Sequence, residues 1–400
     1  MKYLVILGDG MADLPREEWD NRTPLQKANK PNMDLLAKSS EMGLVKTVPD
    51  TLSPGSDVAN LSALGYDPLK YYTGRSPLEA ASIGVTLTDT DVTFRANLVT
   101  LSNEENYEDK TMVDYGSDEI TTAEAAQLIA DLKPLIDDEL FTLYSGISYR
   151  HLLLWDNGPV GAKLTPPHDI SGRKVTDYLP DNEALLRIMK KSNEFLPSHP
   201  INQDRVKRGL HPATSLWIWG EGKKPALPAF YDEYQLKGSM ISAVDLLKGI
   251  GKLADMSVIE VPGATGNIDT NFEGKAQAVI DEFKRGQDFV YVHMEAPDEC
   301  GHRGEADNKV RAIELIDEKV VGPVLEALKA AGEPFSILLM PDHPTPIVTK
   351  THSREPVPYL IYRSNDAVNG PSCYCEEEAK AQNRMIPDGV TLMQRFLKRA

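Results

Sequence analysis

Short runs of hydrophobic residues alternate with amphipathic stretches near the beginning of this chain and again in its second half. Five apolar runs predict buried strands, and they cover residues 3–7, 256–261, 289–294, 335–340 and 358–362. Amphipathic stretches that predict helices lie at residues 32–40, 240–254, 273–285 and 308–330. Strands that alternate with helices usually form a parallel sheet with helices on both faces. The pattern therefore predicts an α/β fold, a three-layer α/β/α core around a mostly parallel sheet.

The middle of the chain follows a different pattern. Residues 91–101 predict a strand, residues 121–136 a helix, residues 141–155 a hairpin-like strand segment and residues 181–196 a second helix. Prolines cluster on both sides of that second helix. We therefore predict a discontinuous core, formed by residues 1–90 and 212–400, and an inserted α+β cap domain at residues 91–211.

The stretch TLSPGSDVANLSALGYDP, at residues 51–68, predicts a loop followed by a short helix. Ser56 is the predicted N-cap of that helix, where a serine hydroxyl usually accepts a hydrogen bond from a backbone amide. The same position places the hydroxyl beside free amides at the positive end of a helix, where a phosphate group binds well. The local sequence is compatible with a capping role and with a nucleophilic role.

Carboxylates and imidazoles follow three of the predicted strands. Taken one at a time, each has an ordinary explanation as a turn former, a helix cap, a surface histidine or a loop residue. Ligands bind beyond the carboxyl ends of the strands in open parallel sheets, however, so these side chains are expected to meet. They are Asp9 after the first strand, Asp298 and His302 after residues 289–294, and Asp342, His343 and His352 after residues 335–340.

This mixture of oxygen and nitrogen ligands suits two hard or borderline divalent ions such as Mn²⁺ or Zn²⁺. Two such ions a few ångströms apart are a recurrent device for phosphoryl transfer. Ser56 follows soon after the first strand, so its helix is expected to begin at the same crevice. Because a metal ion bound to the hydroxyl lowers its pKa, we favour Ser56 as a nucleophile that needs no Ser-His-Asp triad.

Composition and charge narrow the class of protein. A chain of 400 residues with 41% hydrophobic residues is long enough for two or three domains. A formal net charge of −17 argues against general binding to nucleic acid or anionic membranes. No stretch approaches 18 consecutive apolar residues, and the first apolar run is too short for a signal peptide. We predict a cytoplasmic protein, and a homo-oligomer is left open.

The three cysteines, Cys300, Cys373 and Cys375, cannot form a paired disulfide framework. The C-x-C motif at residues 373–375 has no second pair of cysteines beside it in the sequence. A structural zinc site is therefore not expected there.

Four motifs, taken as a set, resemble the archaeal-type subgroup of cofactor-independent phosphoglycerate mutases, which belong to the alkaline phosphatase superfamily. The motifs are GDGMAD at 8–13, SPGSDVANLSALGYDP at 53–68, APDECGH at 296–302 and PDHPTPI at 341–347. The resemblance extends over the whole chain through TGRSPLEAASIG, EVPGATGNIDTNFEGKA and EPVPYLIY. It implies an alkaline-phosphatase-like core and a metal-dependent isomerase that needs no 2,3-bisphosphoglycerate.

The same resemblance implies a mechanism and a set of metal ligands. Ser56 would take the phosphoryl group of phosphoglycerate and return it to the other hydroxyl, and the cap would hold glycerate and exclude water. Mn²⁺ is the favoured metal, with Zn²⁺ or Mg²⁺ as alternatives. One ion would be held by Asp9, Ser56, Asp342 and His343, and the other by Asp298, His302 and His352.

The carboxylate and phosphate of such a substrate need cationic partners, and arginine binds both in a bidentate manner. Arg75 is favoured because it lies in the family-like TGRSPLEA motif, and Arg150 and His151 are favoured because they interrupt an apolar run. The wider set of candidates in or near the cap is Arg75, Arg95, Arg150, His151, His168, Arg173, Arg205 and Arg208.

Two positions depart from the pattern of the subgroup, which has Gly-Arg-Gly where Ser76 follows Arg75 here and an arginine where Trp219 stands here. Both departures concern the substrate rather than the metal ligands. They keep open an alternative function, a phosphotransferase or kinase that acts on a small hydroxy acid such as homoserine at the same dinuclear site. A phosphatase or sulfatase of the same superfamily is a third alternative, and the large cap and the SPGSDVAN motif argue against it.

Overall fold

The computed structural model describes residues 1–398 of the chain. The described strands are β1 (Lys2–Gly8), β2 (Ser40–Val45), β3 (Val92–Leu101), β4 (Met112–Asp114), β5 (Phe141–Tyr144), β6 (Arg150–Trp155), β7 (Ser215–Lys223), β8 (Gly238–Ile241), β9 (Ser257–Ile259), β10 (Phe289–Met294), β11 (Phe335–Met340), β12 (Val357–Arg363) and β13 (Met385–Ile386).

The α-helices are α1 (Pro24–Lys27), α2 (Pro31–Ala37), α3 (Ser56–Ala63), α4 (Pro68–Tyr71), α5 (Ser76–Ser82), α6 (Thr122–Ile136), α7 (Glu183–Phe195), α8 (Pro200–Lys207), α9 (Phe230–Tyr234), α10 (Asp245–Leu253), α11 (Phe272–Lys284), α12 (Ala296–Arg303), α13 (Ala306–Ile316), α14 (Gly322–Ala331), α15 (Glu376–Ala381) and α16 (Val390–Leu397). A π-helical turn, Asp317–Val321, joins α13 to α14. Short 3₁₀ helices lie at Glu17–Trp19, Tyr107–Asp109, Pro167–Ile170, Thr176–Tyr178 and Leu196–Ser198. Within the part of the chain that the structure describes, no helix combines the length and the apolar character needed to cross a bilayer.

The chain divides into two compact units. Unit 1 is formed by residues 1–72 and by the chain from Ala226 onward, and unit 2 is the segment Thr73–Pro225. Unit 2 extends beyond the segment 91–211 expected from the sequence, because β7 pairs along β3 and because Ser76 at the start of α5 donates a hydrogen bond to the Thr93 carbonyl of β3.

Unit 1 contains an eight-stranded sheet with the strand order β13-β2-β12-β11-β1-β10-β8-β9. The five adjacent strands β11, β1, β10, β8 and β9 run parallel to one another. β12 is antiparallel to both of its neighbours, β11 and β2. The prediction of a mostly parallel sheet is therefore confirmed. Since β1, β10 and β11 are adjacent and parallel, their carboxyl ends lie at the same edge.

Helices cover both faces of this sheet, as side chains that alternate along its strands show. Leu4 and Ile6 of β1 belong to a buried cluster with residues of α11, α13 and α14 on one face. Residues at the intervening positions face the other way. The Tyr3 ring packs on Phe396 of α16 at 5.6 Å between ring centres, and Tyr291 of β10 donates a hydrogen bond to Asn60 of α3. The three-layer α/β/α arrangement is confirmed.

Two predicted helices are wrong in part. The stretch 240–254 divides into β8 and α10, because Met240 and Ile241 pair with β10 inside the sheet. The helix predicted at 32–40 ends at Ala37, and Ser40 already begins β2. In both places the period of the apolar residues does not distinguish a short buried strand from a helix end.

The helix predicted at 308–330 is interrupted by the π-helical turn at Asp317. The buried Asp317 carboxylate accepts hydrogen bonds from the backbone amides of Asn32 and Met33, at 3.2 Å and 2.6 Å. Asp317 therefore supplies the cap that α2 lacks in its own sequence, since Lys30 at its N-cap position makes no side-chain capping bond. Single π-helical turns within α-helices often occur where one side chain has a specific task, which here is the capping of α2 by Asp317.

Unit 2 is built around a five-stranded sheet in which β3 pairs with β4, β6 and β7, and β6 pairs with β5, all antiparallel. The hairpin-like segment at 141–155 forms β5 and β6, and the helices predicted at 121–136 and 181–196 form α6 and α7. Buried side chains of both helices join one cluster with Phe94 and Trp217 of the sheet. This is the α+β architecture expected for the insert.

Candidate active site

Three neighbouring strands of unit 1 deliver acidic and histidine side chains to one edge of the sheet. Asp9 follows β1 directly, and Asp342 and His343 follow β11 after a single proline. β10 leads into α12, on which Asp298 and His302 are four residues apart and therefore share a helix face.

The four residues predicted to bind the first ion lie together. Single ligand atoms of Asp9, Asp342 and His343 all lie within 4.8 Å of one another. His343 Nε2 is 3.5 Å from an Asp9 oxygen and 3.4 Å from an Asp342 oxygen. The Ser56 hydroxyl lies 3.1 Å from His343 Nε2 and 3.4 Å from Asp9 Oδ2.

The three residues predicted to bind the second ion also lie together. His302 Nε2 is 3.3 Å and His352 Nε2 is 3.4 Å from the two oxygens of Asp298, and the two imidazole nitrogens are 2.9 Å apart. Ligand atoms of Asp298, His343 and His352 likewise fall within 4.8 Å of one another. His343 therefore lies between the two groups, which form one continuous cluster.

Ser56 is not the N-cap of its helix. Gly55 occupies the N-cap position, and Ser56 is the first helical residue of α3. Near the start of the helix it is the next residue, Asp57, whose carboxylate accepts a hydrogen bond from the Val58 amide at 2.9 Å. The Ser56 hydroxyl is directed instead toward Asp9 and His343, which removes the ordinary structural explanation for a serine at this place.

The electrostatics of the cluster favour a bound cation. Asp9 Oδ1 is buried and has no hydrogen-bond partner among the described residues. Burial raises the pKa of Asp9 well above its ordinary value, and the nearby carboxylates of Asp342, Asp298 and Glu295 raise it further. A divalent ion would neutralise this repulsion and occupy the free oxygen, so the residues fit metal ions of the hard or borderline class.

His343 is in the form that suits a bound metal ion, whereas His302 is protonated when no ion is bound. Burial lowers the pKa of His343, which keeps its imidazole neutral, and neutral imidazole is the form that binds metals. Burial alone would raise the pKa of Asp298, but hydrogen bonds from His302 and His352 hold it well below its ordinary value. The hydrogen bond to Asp298 in turn raises the pKa of His302 to about 9. In the second group the charge of His302 thus balances the Asp298 carboxylate, and a metal ion bound there would have to displace that proton.

Asn60 and Thr345 hold the candidate ligands in place and were not predicted. Asn60 donates to Asp342 Oδ2 at 2.9 Å and accepts a hydrogen bond from the Tyr291 hydroxyl at 2.6 Å. The Thr345 hydroxyl donates to Asp298 and lies 3.3 Å from His343 Nδ1. The available sequence signal for Asn60 is that a polar residue lies on the buried face of α3, where an apolar residue is expected.

His293, on β10, is a second unpredicted neighbour. Its Nε2 is 3.0 Å from Asp9 Oδ2, and its Nδ1 is 3.2 Å from the Ser242 hydroxyl. The buried Lys275 donates to the His293 carbonyl at 2.9 Å. Burial lowers the pKa of His293 to about 3 and that of Lys275 to about 8. A histidine inside the apolar run FVYVHM was the available sequence signal.

Gly10 allows the two candidate ligand groups to approach each other. Its φ of +62° lies in the left-handed region that glycine adopts readily. A Cβ at this position would lie 2.7 Å from the Asp298 Cα and 2.7 Å from the Thr345 hydroxyl. The loop after β1 can therefore touch α12 only because residue 10 has no side chain.

Two arginines of unit 2 contact one carboxylate, and the charge of a third, Arg150, acts on one of them. Arg95 Nε is 3.1 Å and Arg75 Nε is 3.4 Å from the oxygens of Glu79. Burial lowers the pKa of Arg95, and the charges of Arg75 and Arg150 lower it further. The three guanidinium charges outnumber the single carboxylate charge of Glu79, and the remaining positive charge suits an anionic ligand.

His151 differs from the cation expected from the sequence. Its side chain is buried, and Nδ1 accepts a hydrogen bond from the Gly146 amide at 3.0 Å. Burial lowers the pKa of His151 to about 3, so the ring is neutral at physiological pH. Nε2 has no hydrogen-bond partner among the described residues and remains able to donate one.

The remaining cationic candidates bond mainly to groups within unit 2. Arg205 is buried, and it donates to Glu124 at 2.7 Å and to two backbone carbonyls. Arg208 pairs with Glu124 and Asp204, and Arg173 donates to the Tyr178 hydroxyl. The His168 ring packs against Trp219 at 5.4 Å between ring centres. Arg205 and Arg208 act as fixed parts of the unit 2 framework.

The two positions that depart from the subgroup pattern have defined surroundings. Ser76 is buried, and its hydroxyl donates to the Thr93 carbonyl at 2.9 Å. The Trp219 ring lies 4.3 Å from the Arg95 guanidinium carbon, and its Nε1 donates to Asn97 at 3.0 Å. An aromatic ring therefore covers Arg95 at this position.

Comparisons with known proteins agree with one another. A sequence profile described as 2,3-bisphosphoglycerate-independent phosphoglycerate mutase matches residues 37–202. The protein of that name from Methanosarcina barkeri is 49% identical over 385 residues, which cover 95% of each chain. The one from Methanothrix thermoacetophila is 48% identical over 397 residues, which cover 98% of this chain and 99% of that protein.

Two solved structures resemble the whole chain. A protein from Pyrococcus horikoshii has a TM-score of 0.84 at 30% identity, with 100% of this chain and 98% of that chain covered. The cofactor-independent phosphoglycerate mutase from Thermoplasma acidophilum has a TM-score of 0.66 at 25% identity, with 100% and 99% covered.

Proposed function

Because the chain belongs to the family of 2,3-bisphosphoglycerate-independent phosphoglycerate mutases, we propose that it interconverts 2-phosphoglycerate and 3-phosphoglycerate through a phosphoserine at Ser56. The observation that carries the proposal is the position of the Ser56 hydroxyl, 3.1 Å from His343 Nε2 and 3.4 Å from Asp9 Oδ2. A hydroxyl at a helix start beside a cluster of metal-ligand side chains is the arrangement that phosphoryl transfer requires.

The reaction consists of two transfers that balance each other. In the first, Ser56 Oγ attacks the phosphorus of 3-phosphoglycerate, so that the Oγ–P bond forms while the bond from phosphorus to the C3 oxygen breaks. The serine loses its hydroxyl proton, and the C3 oxygen gains one. In the second transfer the C2 oxygen attacks the phosphoserine, and Ser56 recovers its proton. Neither water nor a second phosphoglycerate is consumed.

The chain's own residues have separate tasks in this scheme. Asp9 and His343 orient the Ser56 hydroxyl, and the positive end of α3 stabilises negative charge on the phosphoryl group. Two divalent ions, with Mn²⁺ favoured over Zn²⁺ or Mg²⁺, would supply Lewis-acid stabilisation of that charge when bound. They would be held by Asp9, Ser56, Asp342 and His343 and by Asp298, His302 and His352.

For the anionic groups of the substrate we propose Arg75, Arg150 and His151 of unit 2. Arg75 and Arg150 are exposed, and the charges of both act on Arg95. A guanidinium group matches a carboxylate or phosphate through two parallel hydrogen bonds. His151 Nε2 is buried, so its hydrogen bond to the substrate would require the ring to become exposed when the substrate binds. The small phosphorylated hydroxy acid is thus bound through its charges.

The acceptor of the phosphoryl group is tested together with the mutase activity. Purified protein is incubated with Mn²⁺ and 3-phosphoglycerate, without 2,3-bisphosphoglycerate, and the products are identified by ³¹P and ¹H NMR. We expect 2-phosphoglycerate to appear. Parallel incubations with ATP and homoserine test the alternative function, a phosphotransferase. The Trp219 ring that covers Arg95 is the feature that motivates this test. Formation of phosphohomoserine without 2-phosphoglycerate would replace the proposed function.

A cytoplasmic location and a homo-oligomeric state stay predictions. Fractionation of cells and sedimentation of the purified chain test them.

A further inference from the structure

The segment Cys373–Tyr374–Cys375 lies in unit 1 just before α15, and no step of the proposed function uses it. Cys373 is partly exposed, and Cys375 is buried. A single residue, Tyr374, separates the two cysteines. A third group reaches the pair from the start of α2, because Lys30 Nζ lies 3.2 Å from Cys373 Sγ.

Lys30 makes this contact inside the protein. Its side chain is only 1% exposed, and its Nζ also donates to Asp34 at 2.7 Å. A buried ammonium group is stable only beside acceptors that carry negative charge. A thiolate at Cys373 is such an acceptor, while a neutral thiol is a weak one.

The charged and titratable groups around Cys373 favour its thiolate on balance. The neighbouring Cys375 and the positive charge of Lys30 lower the pKa of Cys373 to about 7, against burial and the Asp34 carboxylate, which raise it. Glu376 lies close enough to raise the pKa of Cys375 together with the Cys373 sulfur, so Cys375 keeps its proton. One cysteine is thus a nucleophile and its neighbour a protonated partner.

We propose that Cys373 and Cys375 form an oxidisable dithiol in which Cys373 is the attacking thiolate and Cys375 the resolving thiol, and that small-molecule disulfides are its oxidants. The Cys373 thiolate attacks one sulfur of the small disulfide, a mixed disulfide forms, and one small thiolate leaves. Cys375 then loses its proton and attacks the Cys373 sulfur, which releases the second small thiol. The two cysteines are oxidised by two electrons, and the small disulfide is reduced.

This modification would act on contacts that hold the segment to the sheet. The Tyr374 amide donates to Asp34 at 3.0 Å, and its hydroxyl donates to the Pro358 carbonyl at 2.9 Å. Oxidation removes the thiolate beside Lys30 and pulls the two cysteines on either side of Tyr374 together. The oxidised protein is therefore expected to melt at a lower temperature than the reduced one.

The test uses the full, metal-loaded chain and DTNB, a small aromatic disulfide whose released thiolate is coloured. Cys300→Ser is the background variant, because it leaves Cys373 and Cys375 as the two thiols of the chain. Cys300 itself is buried and is expected to react slowly. We expect a fast phase that releases two thiolates per chain, and an intact mass 2 Da below that of the reduced protein as expected for one disulfide.

Single variants separate the two roles. Cys375→Ser should release one thiolate and keep a stable adduct at Cys373, whereas Cys373→Ser should lack the fast phase. Lys30→Met should slow the fast phase on the order of tenfold at pH 7, since the thiolate fraction falls. If Lys30→Met does not fold, the pH profile of iodoacetamide alkylation in the Cys300→Ser background gives the same information. Its midpoint should lie near pH 7 rather than about 8.5.

Three results would overturn the proposal. One is a fast phase that persists in Cys373→Ser. Another is a stable mixed disulfide on the chain that retains Cys375. A disulfide between two copies of the chain, seen as a doubled mass, would count against an internal resolving thiol as well.

Discussion

The Ser56 hydroxyl depends on side chains that are far from it in the sequence. Asp9 and His343 reach it from the ends of two strands, and the helix cap does not need it because Gly55 is the N-cap. We expect Ser56→Ala to abolish mutase activity while changing the free energy of unfolding by less than about 1 kcal/mol. Steady-state kinetics and urea unfolding measure both quantities.

Ser53→Ala is the matched control for this variant. Ser53 lies in the same loop and is exposed. Wild-type activity is expected for the control. If purified Ser56→Ala kept a tenth of the wild-type turnover, another group would have to be the nucleophile.

Arg150 offers a residue-scale test of substrate binding. If Arg150 binds a carboxylate or phosphate in a bidentate manner, Arg150→Ala should lower kcat/KM by a factor equivalent to about 2–4 kcal/mol. Arg150→Lys should not restore it, because an ammonium group lacks the planar fork. Arg173→Ala, which removes an exposed arginine bonded to Tyr178, is the control and should have little effect. An unchanged kcat/KM in Arg150→Ala would mean that Arg150 is a solvated surface residue with no role in substrate binding.

The neutral, buried His151 makes the stability of the protein depend on pH. Its pKa is lowered to about 3 in the folded chain, compared with about 6.5 in an unfolded one. The unfolded state therefore binds the proton first, and stability present above pH 6.5 is lost as the pH falls toward 3, with a limiting slope of about 1.4 kcal/mol per pH unit.

His151→Asn tests this dependence, since its amide oxygen can accept the Gly146 hydrogen bond without binding a proton. We expect the variant to lose less stability than the wild type between pH 6.5 and pH 4.5. Urea unfolding at a series of pH values measures the difference. Parallel curves for the two proteins would mean that His151 is protonated in the folded state.

At the scale of elements, the contact between the β1 loop and α12 depends on Gly10. A Cβ there would approach the backbone of Asp298, which cannot move as a flexible side chain can. Gly10→Ala should therefore cost more than the roughly 1 kcal/mol of a left-handed alanine, and it should weaken metal binding as well. Thermal unfolding and metal titration measure these effects.

Gly332→Ala separates backbone strain from crowding. Gly332 has a φ of +71° at the end of α14, and no atom lies within 4 Å of a Cβ built there. This control should show the strain cost alone, with unchanged metal binding. Equal effects of the two substitutions would mean that Gly10 matters only for its backbone conformation.

The elements that could be predicted from the sequence are those with an uninterrupted apolar run or a clear helical period. β10 and β11 form where the apolar runs predicted them, because their neighbours on both sides bury every residue. β8 was interpreted as the start of a helix, because four residues carry too little periodicity to reveal a strand. Its identity depends on pairing with β10, which lies about fifty residues later.

The candidate site divides in the same way. Asp9, Asp298, Asp342 and His343 could be predicted because polar residues directly after buried strands are conspicuous. Asn60 and Thr345 could not, because their roles arise from hydrogen bonds to residues remote in sequence. A neutral His151 also escaped prediction, since its charge is set by burial alone.

For the molecule as a whole, the candidate ligands predict two metal ions per chain. Removal of metal by EDTA should abolish activity, and restoration should require two equivalents of Mn²⁺, measured by calorimetry and elemental analysis. Asp9→Asn and His302→Ala should each bind one ion. The melting temperature should rise with metal concentration, because an ion that binds the folded state stabilises it. Full activity with one ion per chain would contradict the dinuclear assignment.

The two ends of unit 2 lie next to each other, and this has a consequence for how the chain folds. Thr73 donates a hydrogen bond to the Lys223 carbonyl, so the two ends of the insert meet. Unit 1 must close a long loop from β1 to β10 before its sheet can form, since β1 pairs with strands that begin at residues 289 and 335. A folded insert shortens that loop roughly twofold, which lowers the entropy cost of closure by about 0.6 kcal/mol. Prior folding of the insert would therefore speed the assembly of the core, and β1, although made first, has to wait for most of the chain to be synthesised before its partner strands exist.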